Sequence, residues 1–179
     1  MKNVFIILLV FSVVVGCGQG QDDYYFDFDQ IDHYSIEVDE NKLLDRYDAL
    51  DLSEEESLLL AVIIRDTPTS LSDTAFLADL ESAGFQKKIL KGSKLEEINE
   101  IFRKKLHKEV SAMACIAVYR DVLVFRKKEK IVGIAKICFS CKQNQIHGTE
   151  IETWDFGQSG DYDKLESILK DLIKPEGER

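Results

Sequence analysis

The chain of 179 residues has only two prolines, Pro68 and Pro175, and a single tryptophan, Trp154. No Pro-rich or Ser-rich linker divides it, and the 163 residues after position 16 fit one domain. Basic residues are also few, because 23 Lys and Arg stand against 33 Asp and Glu, for a net charge of −10. Such an acidic chain repels phosphate backbones, so we expect no nucleic-acid partner.

The sequence lacks the motifs of several large enzyme classes. It has no Gly-x-Ser-x-Gly elbow, no Walker sequence and no dinucleotide-binding glycine pattern. The tripeptide at residues 155–157 matches part of a kinase signature, but no glycine-rich loop precedes it. A calcium loop beginning at Asp27 would need glycine where Asp32 stands. We therefore expect a protein without catalytic activity, whose role is binding or interaction.

Long apolar runs are scarce as well. The run over residues 4–15 contains 12 residues, of which only Ser12 is polar, and it follows the positively charged Lys2. It is shorter than the roughly 20 residues that a membrane-spanning helix needs, and it has the length of the apolar region of a signal peptide. Gly16 and Cys17 come directly after this run.

The segment Val14-Val15-Gly16-Cys17 resembles the lipobox of bacterial lipoproteins, in which a small residue precedes an acylated cysteine. The resemblance covers residues 1–17 and implies a signal peptide over 1–16, cleaved between Gly16 and Cys17. Cys17 would then carry diacylglycerol and an N-acyl chain such as palmitate. Two or more acyl chains hold a protein stably at a membrane. The family usually has Leu and then Ala or Ser where Val14 and Val15 stand.

The residues after Cys17 indicate where in the cell envelope the protein is expected. Gly18 in place of an aspartate resembles lipoproteins that are sorted to the outer membrane. The acidic pair at residues 22–23 resembles the surface-export signals of some Gram-negative lineages, and a solvated linker explains it equally well. We expect a lipid-anchored protein of the cell envelope, with its partner, a protein or a small molecule, left open.

The sequence predicts an acylated cysteine and acidic tether over 17–31 and a single domain over 32–179. Capping-box sequences at Ser53–Glu56 and Ser93–Glu96 predict helix starts. The predicted elements are a strand over 34–38, helices over 54–65, 71–83 and 161–173, a helix from 94 that includes Leu106, a hairpin over 115–139 and a third strand over 145–154. This order predicts an α+β fold in which an antiparallel β-meander packs with about four helices.

Three cysteines follow Cys17, namely Cys115, Cys138 and Cys141. With the hairpin turn near Lys128, Cys115 is expected opposite Cys141 and close to Cys138. Exported proteins meet an oxidising environment. The first interpretation is therefore a disulfide from Cys115 to Cys141 or Cys138, with the third thiol buried.

Two other interpretations of the cysteines stay open. With His147 nearby, the three thiolates would complete a Cys₃His set that zinc accepts, in an envelope metal-binding protein. The Cys138-x-x-Cys141 spacing resembles that of thioredoxin-like thiol oxidoreductases, but the helix and the cis-proline of that family have no counterpart here. The hairpin and residues 136–143 resemble segments of envelope lipoproteins to which no activity is attached.

The sequence also gives expectations for the burial of one tryptophan and two histidines. Trp154 is expected in the core, with a surface contact to a partner as the alternative. His33 and His107 are expected to face solvent.

Overall fold

The computed structural model of the protein describes residues 23–73, 75–107 and 113–173. The predicted signal peptide and the cleavage site at Gly16 and Cys17 lie outside these ranges. Within them, the elements run β1 (Gln30–Ser35), α1 (Glu40–Arg46), α2 (Glu54–Ile63), α3 (Ala75–Ser82), β2 (Gln86–Leu90), α4 (Lys94–Ile101), β3 (Asp121–Lys127), β4 (Lys130–Cys138), β5 (Gln143–His147) and α5 (Asp161–Ile173). No described helix combines the length and the apolar character needed to cross a bilayer.

The strands form one antiparallel sheet in the order β2-β1-β3-β4-β5. The α+β prediction with a β-meander is confirmed. Strands β3 and β4 form the predicted hairpin, and its turn is made by Lys128 and Glu129 at φ 48° and 68°. Two consecutive left-handed residues match the right-handed twist of the strands that they join. Helix α5 has the predicted bounds and spans residues 161–173.

Helices cover both faces of the sheet. In β3, Leu123 and Phe125 belong to one hydrophobic cluster with α4 and α5, while Val122 and Val124 belong to a second with α2 and α3. Successive residues of a strand point to opposite faces. All four side chains are fully buried, which explains why this strand is a continuous apolar run and not an alternating one.

The ordered domain begins earlier than residue 32. Tyr25 and Phe26, which the sequence placed in the tether, are 5% exposed and belong to the core on the α4/α5 face. The ring of Phe26 lies 4.5 Å from that of Phe125, centroid to centroid. A Cβ at Gly133 of β4 would overlap the Phe26 ring, so this glycine provides the space for the aromatic anchor.

One of the two predicted capping boxes is formed, and the helix after the other one ends earlier than predicted. The capping box of α2 is formed, with Ser53 Oγ accepting from the Glu56 amide and Glu56 Oε2 accepting from the Ser53 amide. The second predicted box is not formed, because Ser93 has helical backbone angles (φ −61°, ψ −27°) that turn its side chain away from the cap position. Helix α4 ends at Ile101, and Leu106 is consequently exposed.

Candidate binding site beside the disulfide

The structure joins Cys115 to Cys141 and leaves Cys138 as a buried free thiol. The predicted disulfide with a buried third cysteine is thus confirmed. Cys138 and Cys141 are not bonded to each other, and Cys138 Sγ lies 3.4 Å from Ser140 Oγ. The strand register produces this pairing, because Cys138 is the last residue of β4 and residues 139–142 form the turn to β5.

The expected proximity of His147 to the cysteines is not found. In the β4–β5 ladder Cys138 pairs with Gln143, whereas His147 pairs with Ile134 at the other end of β5. Four residues along a strand correspond to about 13 Å. No group of three or more His, Cys, Asp and Glu side chains within residues 23–73, 75–107 and 113–173 is arranged to hold a metal ion.

A loop segment is fastened to the start of β5 at the disulfide. Gln143 Nε2 donates to the carbonyl oxygens of Met113 (2.8 Å) and Cys115 (3.2 Å). The Cys115–Cys141 bond joins the same two regions covalently. Lys142, between them, has φ 50°, a conformation that non-glycine residues adopt rarely and that is often found at functional sites. These links hold residues 113–115 in place beside β5.

The opposite wall is formed by the first turn of α5. Asn144 Nδ2 donates to the hydroxyl of Tyr162 at 2.9 Å. The Tyr162 ring packs edge-on against Phe156, and a Cβ at Gly157 would overlap it, so glycine is required there. Burial raises the pKa of Tyr162 to about 12, and the phenol is therefore neutral at physiological pH.

A cavity of about 390 Å³ lies between these walls. We call it the Trp154 pocket, and its lining residues are Met113, Lys142, Gln143, Asn144, Ile146, Thr153, Trp154, Phe156, Gln158 and Tyr162. The volume is near the lower end of the range of about 300–1,000 Å³ that small-molecule sites occupy. The lining contains one charged residue, Lys142, whose ammonium lies 3.2 Å from the Asp163 carboxylate. The pocket is accordingly close to neutral, in a strongly acidic protein.

Trp154 is not in the core. Its side chain is 66% exposed, so the expectation of core packing was wrong and the alternative of a surface contact fits its position. The residue lies in the turn region that precedes α5, where Phe156 takes the buried position instead. A large exposed aromatic residue beside a pocket is a common feature of binding sites.

The two other histidines also differ from expectation. His33 is 1% exposed, because β1 lies inside the sheet and both faces of the sheet are covered. Its Nε2 lies 2.8 Å from Asp121 Oδ1. His107 is half-buried, and its Nδ1 lies 2.9 Å from Ser159 Oγ, so it does not project freely into solvent.

Lys136 is a buried lysine that sequence reasoning did not single out. Its side chain has no exposed surface, and Nζ donates to the carbonyl oxygens of Arg65 (2.7 Å) and Thr67 (2.8 Å). Burial lowers the pKa of Lys136 to about 7. Because the amine is closed off from solvent, its role is to hold the segment after α2 against β4. One lysine in an apolar strand carries no sequence signal for such a role.

Other cavities contain charged groups that are already paired inside the chain. A cleft of about 760 Å³ lies at one end of the sheet, and a groove of about 590 Å³ lies between α1 and α2. The ion pairs at these cavities include His33–Asp121, Arg120–Glu40, Lys170–Glu166, Lys42–Asp39 and Arg46–Glu56. The Trp154 pocket differs from both, because an exposed indole stands there beside neutral amide groups.

No family model, no curated protein and no solved structure matches the chain. The inference of function therefore starts from the residues and the geometry of the site itself.

Proposed function

We propose that the protein is a lipid-anchored lipoprotein of the bacterial envelope, sorted to the outer membrane, whose domain binds a ligand in the Trp154 pocket without catalysis. The anchor is supported by the lipobox-like segment that ends at Gly16 and Cys17. The Cys115–Cys141 disulfide fits an exported protein, since such bonds persist in oxidising compartments. The observation that carries the binding role is the exposed indole of Trp154 over a pocket braced by that disulfide.

The packed N-terminal segment supports a short distance between an acylated Cys17 and the domain. Six residue steps separate Cys17 from Asp23, the first described residue, and they span at most about 22 Å. The Asp23 carbonyl accepts from the Lys104 amide at 2.7 Å, and the neighbouring Lys105 bonds Asp161 at the start of α5. The chain thus enters the domain on the side where α5 begins, next to the pocket. An acylated Cys17 would hold the pocket close to the membrane surface.

The anchor is tested by expressing the full chain and Cys17→Ser in a Gram-negative host with labelled palmitate. We expect label in the wild-type protein and none in Cys17→Ser, which should also leave the membrane fraction. Cys138→Ser is the matched control and should keep the label, because Cys138 is a buried thiol outside the signal. An unlabelled wild-type protein would refute the anchor.

The binding role is tested with the full chain solubilised in an amine-oxide detergent and mixed with sedimented envelope material from the same host. We expect Trp154→Ala to reduce the bound fraction at least tenfold, since interface tryptophans often contribute 2 kcal/mol or more. Tyr47→Ala removes another exposed aromatic residue, in the α1 region on the opposite face of the sheet, and should bind like the wild type. Equal sedimentation of the wild type and Trp154→Ala would refute the role of the pocket.

A further inference from the structure

We infer that the ligand of the Trp154 pocket is a neutral saccharide, an inference that rests on the proposed binding role. The first argument is the indole. Trp154 is 66% exposed, and its indole is a flat, largely apolar group. A pyranose ring has an apolar face of C–H groups, which contacts an aromatic face favourably, while its hydroxyl groups point outward around the rim.

The second argument is the chemistry of the pocket wall. Gln143, Asn144 and Gln158 contribute side-chain amides. Both N–H donors of Gln143 are used by the Met113 and Cys115 carbonyls, so its side chain keeps the carbonyl oxygen as an acceptor. Asn144 keeps one N–H donor and its carbonyl oxygen. A hydroxyl group both donates and accepts, so it can bond to either kind of group without any net charge. The wall is therefore suited to a ligand rich in hydroxyl groups.

The third argument is that two of these amides, those of Gln143 and Asn144, are held in place before a ligand arrives. Gln143 is tied to the backbone at Met113 and Cys115, and Asn144 to the Tyr162 hydroxyl. Fixed groups lose less conformational entropy on binding, which raises affinity for a small ligand. The disulfide at Cys115 adds a covalent brace to the same wall.

The fourth argument is electrostatic. Lys142 is the one charged residue of the lining, and it is paired with Asp163. An anionic ligand would meet a protein of net charge −10 with no unpaired cation in the lining, and a cationic ligand would meet no carboxylate there. A neutral ligand avoids both of these unfavourable electrostatic situations.

The test is a titration of the full chain, in an amine-oxide detergent without a sugar head group, with chitotriose, cellotriose and maltotriose in turn. Trp154 is the only tryptophan, so its emission reports on the pocket directly. We expect a saturable blue shift with at least one trisaccharide, because a stacked sugar removes water from the indole. By calorimetry, Trp154→Ala should weaken that binding at least tenfold and Trp154→Phe should weaken it less, while Tyr47→Ala should leave it unchanged.

The inference is overturned if no trisaccharide gives a saturable response, or if Trp154→Ala binds as tightly as the wild type. Envelope material extracted with organic solvent and digested with protease separates this failure from that of the proposed function. Trp154-dependent sedimentation that survives both treatments supports a saccharide when a trisaccharide also gives a saturable response. Sedimentation lost with protease indicates a protein ligand, and sedimentation lost with solvent indicates a lipid surface. Either loss overturns the saccharide while leaving the binding role intact.

Discussion

Lys136 is expected to make the free energy of unfolding of this protein rise with pH above neutrality. Burial lowers the pKa of its amine from 10.5 to about 7 in the folded protein. Between these values the unfolded chain binds a proton that the folded chain does not. The free energy of unfolding must then rise with pH across this window, by about 1.4 kcal/mol per pH unit from this group. As pH falls towards 7, the same contribution is lost.

The magnitude is large enough to isolate. From about pH 7.5 to about pH 9.5 the gain is about 2–3 kcal/mol, a considerable share of the stability of a typical domain. The full conversion applies because Lys136 has no exposed surface to be screened by solvent. Burial raises the pKa values of Tyr25, Tyr119 and Tyr162 to about 12, which acts in the opposite sense but only above about pH 10.

The assay is urea unfolding followed by far-ultraviolet circular dichroism, since the exposed Trp154 is a poor reporter of folding. Lys136→Met should lose the rise of stability with pH. Lys130→Met, which replaces an exposed lysine at the start of the same strand, should keep it. A wild-type stability that stays flat between about pH 7.5 and 9.5, or an unchanged slope in Lys136→Met, would refute the reasoning.

Two further predictions concern the buried Asp32 carboxylate and the Cys115–Cys141 disulfide. Asp32 is 1% exposed and accepts from Gln30 (2.7 Å), Arg126 (2.7 Å) and Lys87 (2.9 Å). Asp32→Asn should lower the free energy of unfolding by about 3 kcal/mol in urea at neutral pH, because two cations lose their partner. Asp27→Asn, which removes the exposed pair with Lys127, should lower it by less than about 1 kcal/mol. Similar losses in both variants would contradict this prediction. The Cys115–Cys141 bond closes a loop of 26 residues, so Cys115→Ser with Cys141→Ser should cost about 3.5 kcal/mol. With Cys17 acylated, the intact mass after alkylation should show one reactive thiol, that of Cys138, in the unfolded oxidised wild type, and three would rule the bond out.

The elements with local signals were predictable from the sequence. Ser53 and Glu56 satisfy each other within one turn, and the hairpin at Lys128 is set by apolar strands on both sides of a charged turn. Strand β2 was missed because four of its five residues are exposed, so no alternation of apolar and polar residues marks it. It joins the sheet through backbone pairing with β1, which side-chain patterns do not report.

The burial of Tyr25 and Phe26 was not expected from the sequence, for a different reason. Tyr25 and Phe26 lie in a stretch rich in aspartate, and local composition indicates a solvated segment there. Their burial depends on Phe102 and Phe125, which are about 80 and 100 residues away in the sequence. Aromatic residues in an acidic linker are better regarded as candidates for long-range packing than as part of the linker.

The segment 137–147 shows why the spacing of two cysteines does not identify their chemistry. The turn after β4 places Cys141 against Cys115 and leaves Cys138 buried, while the strand carries His147 to its far end. The residues of this segment that line the pocket lie between Cys141 and His147, and they have no motif of their own. They are Lys142, Gln143, Asn144 and Ile146. The cysteines then contribute to binding only through the wall that they brace. If this is correct, breaking the disulfide should weaken binding in the Trp154 pocket even under conditions where the domain stays folded.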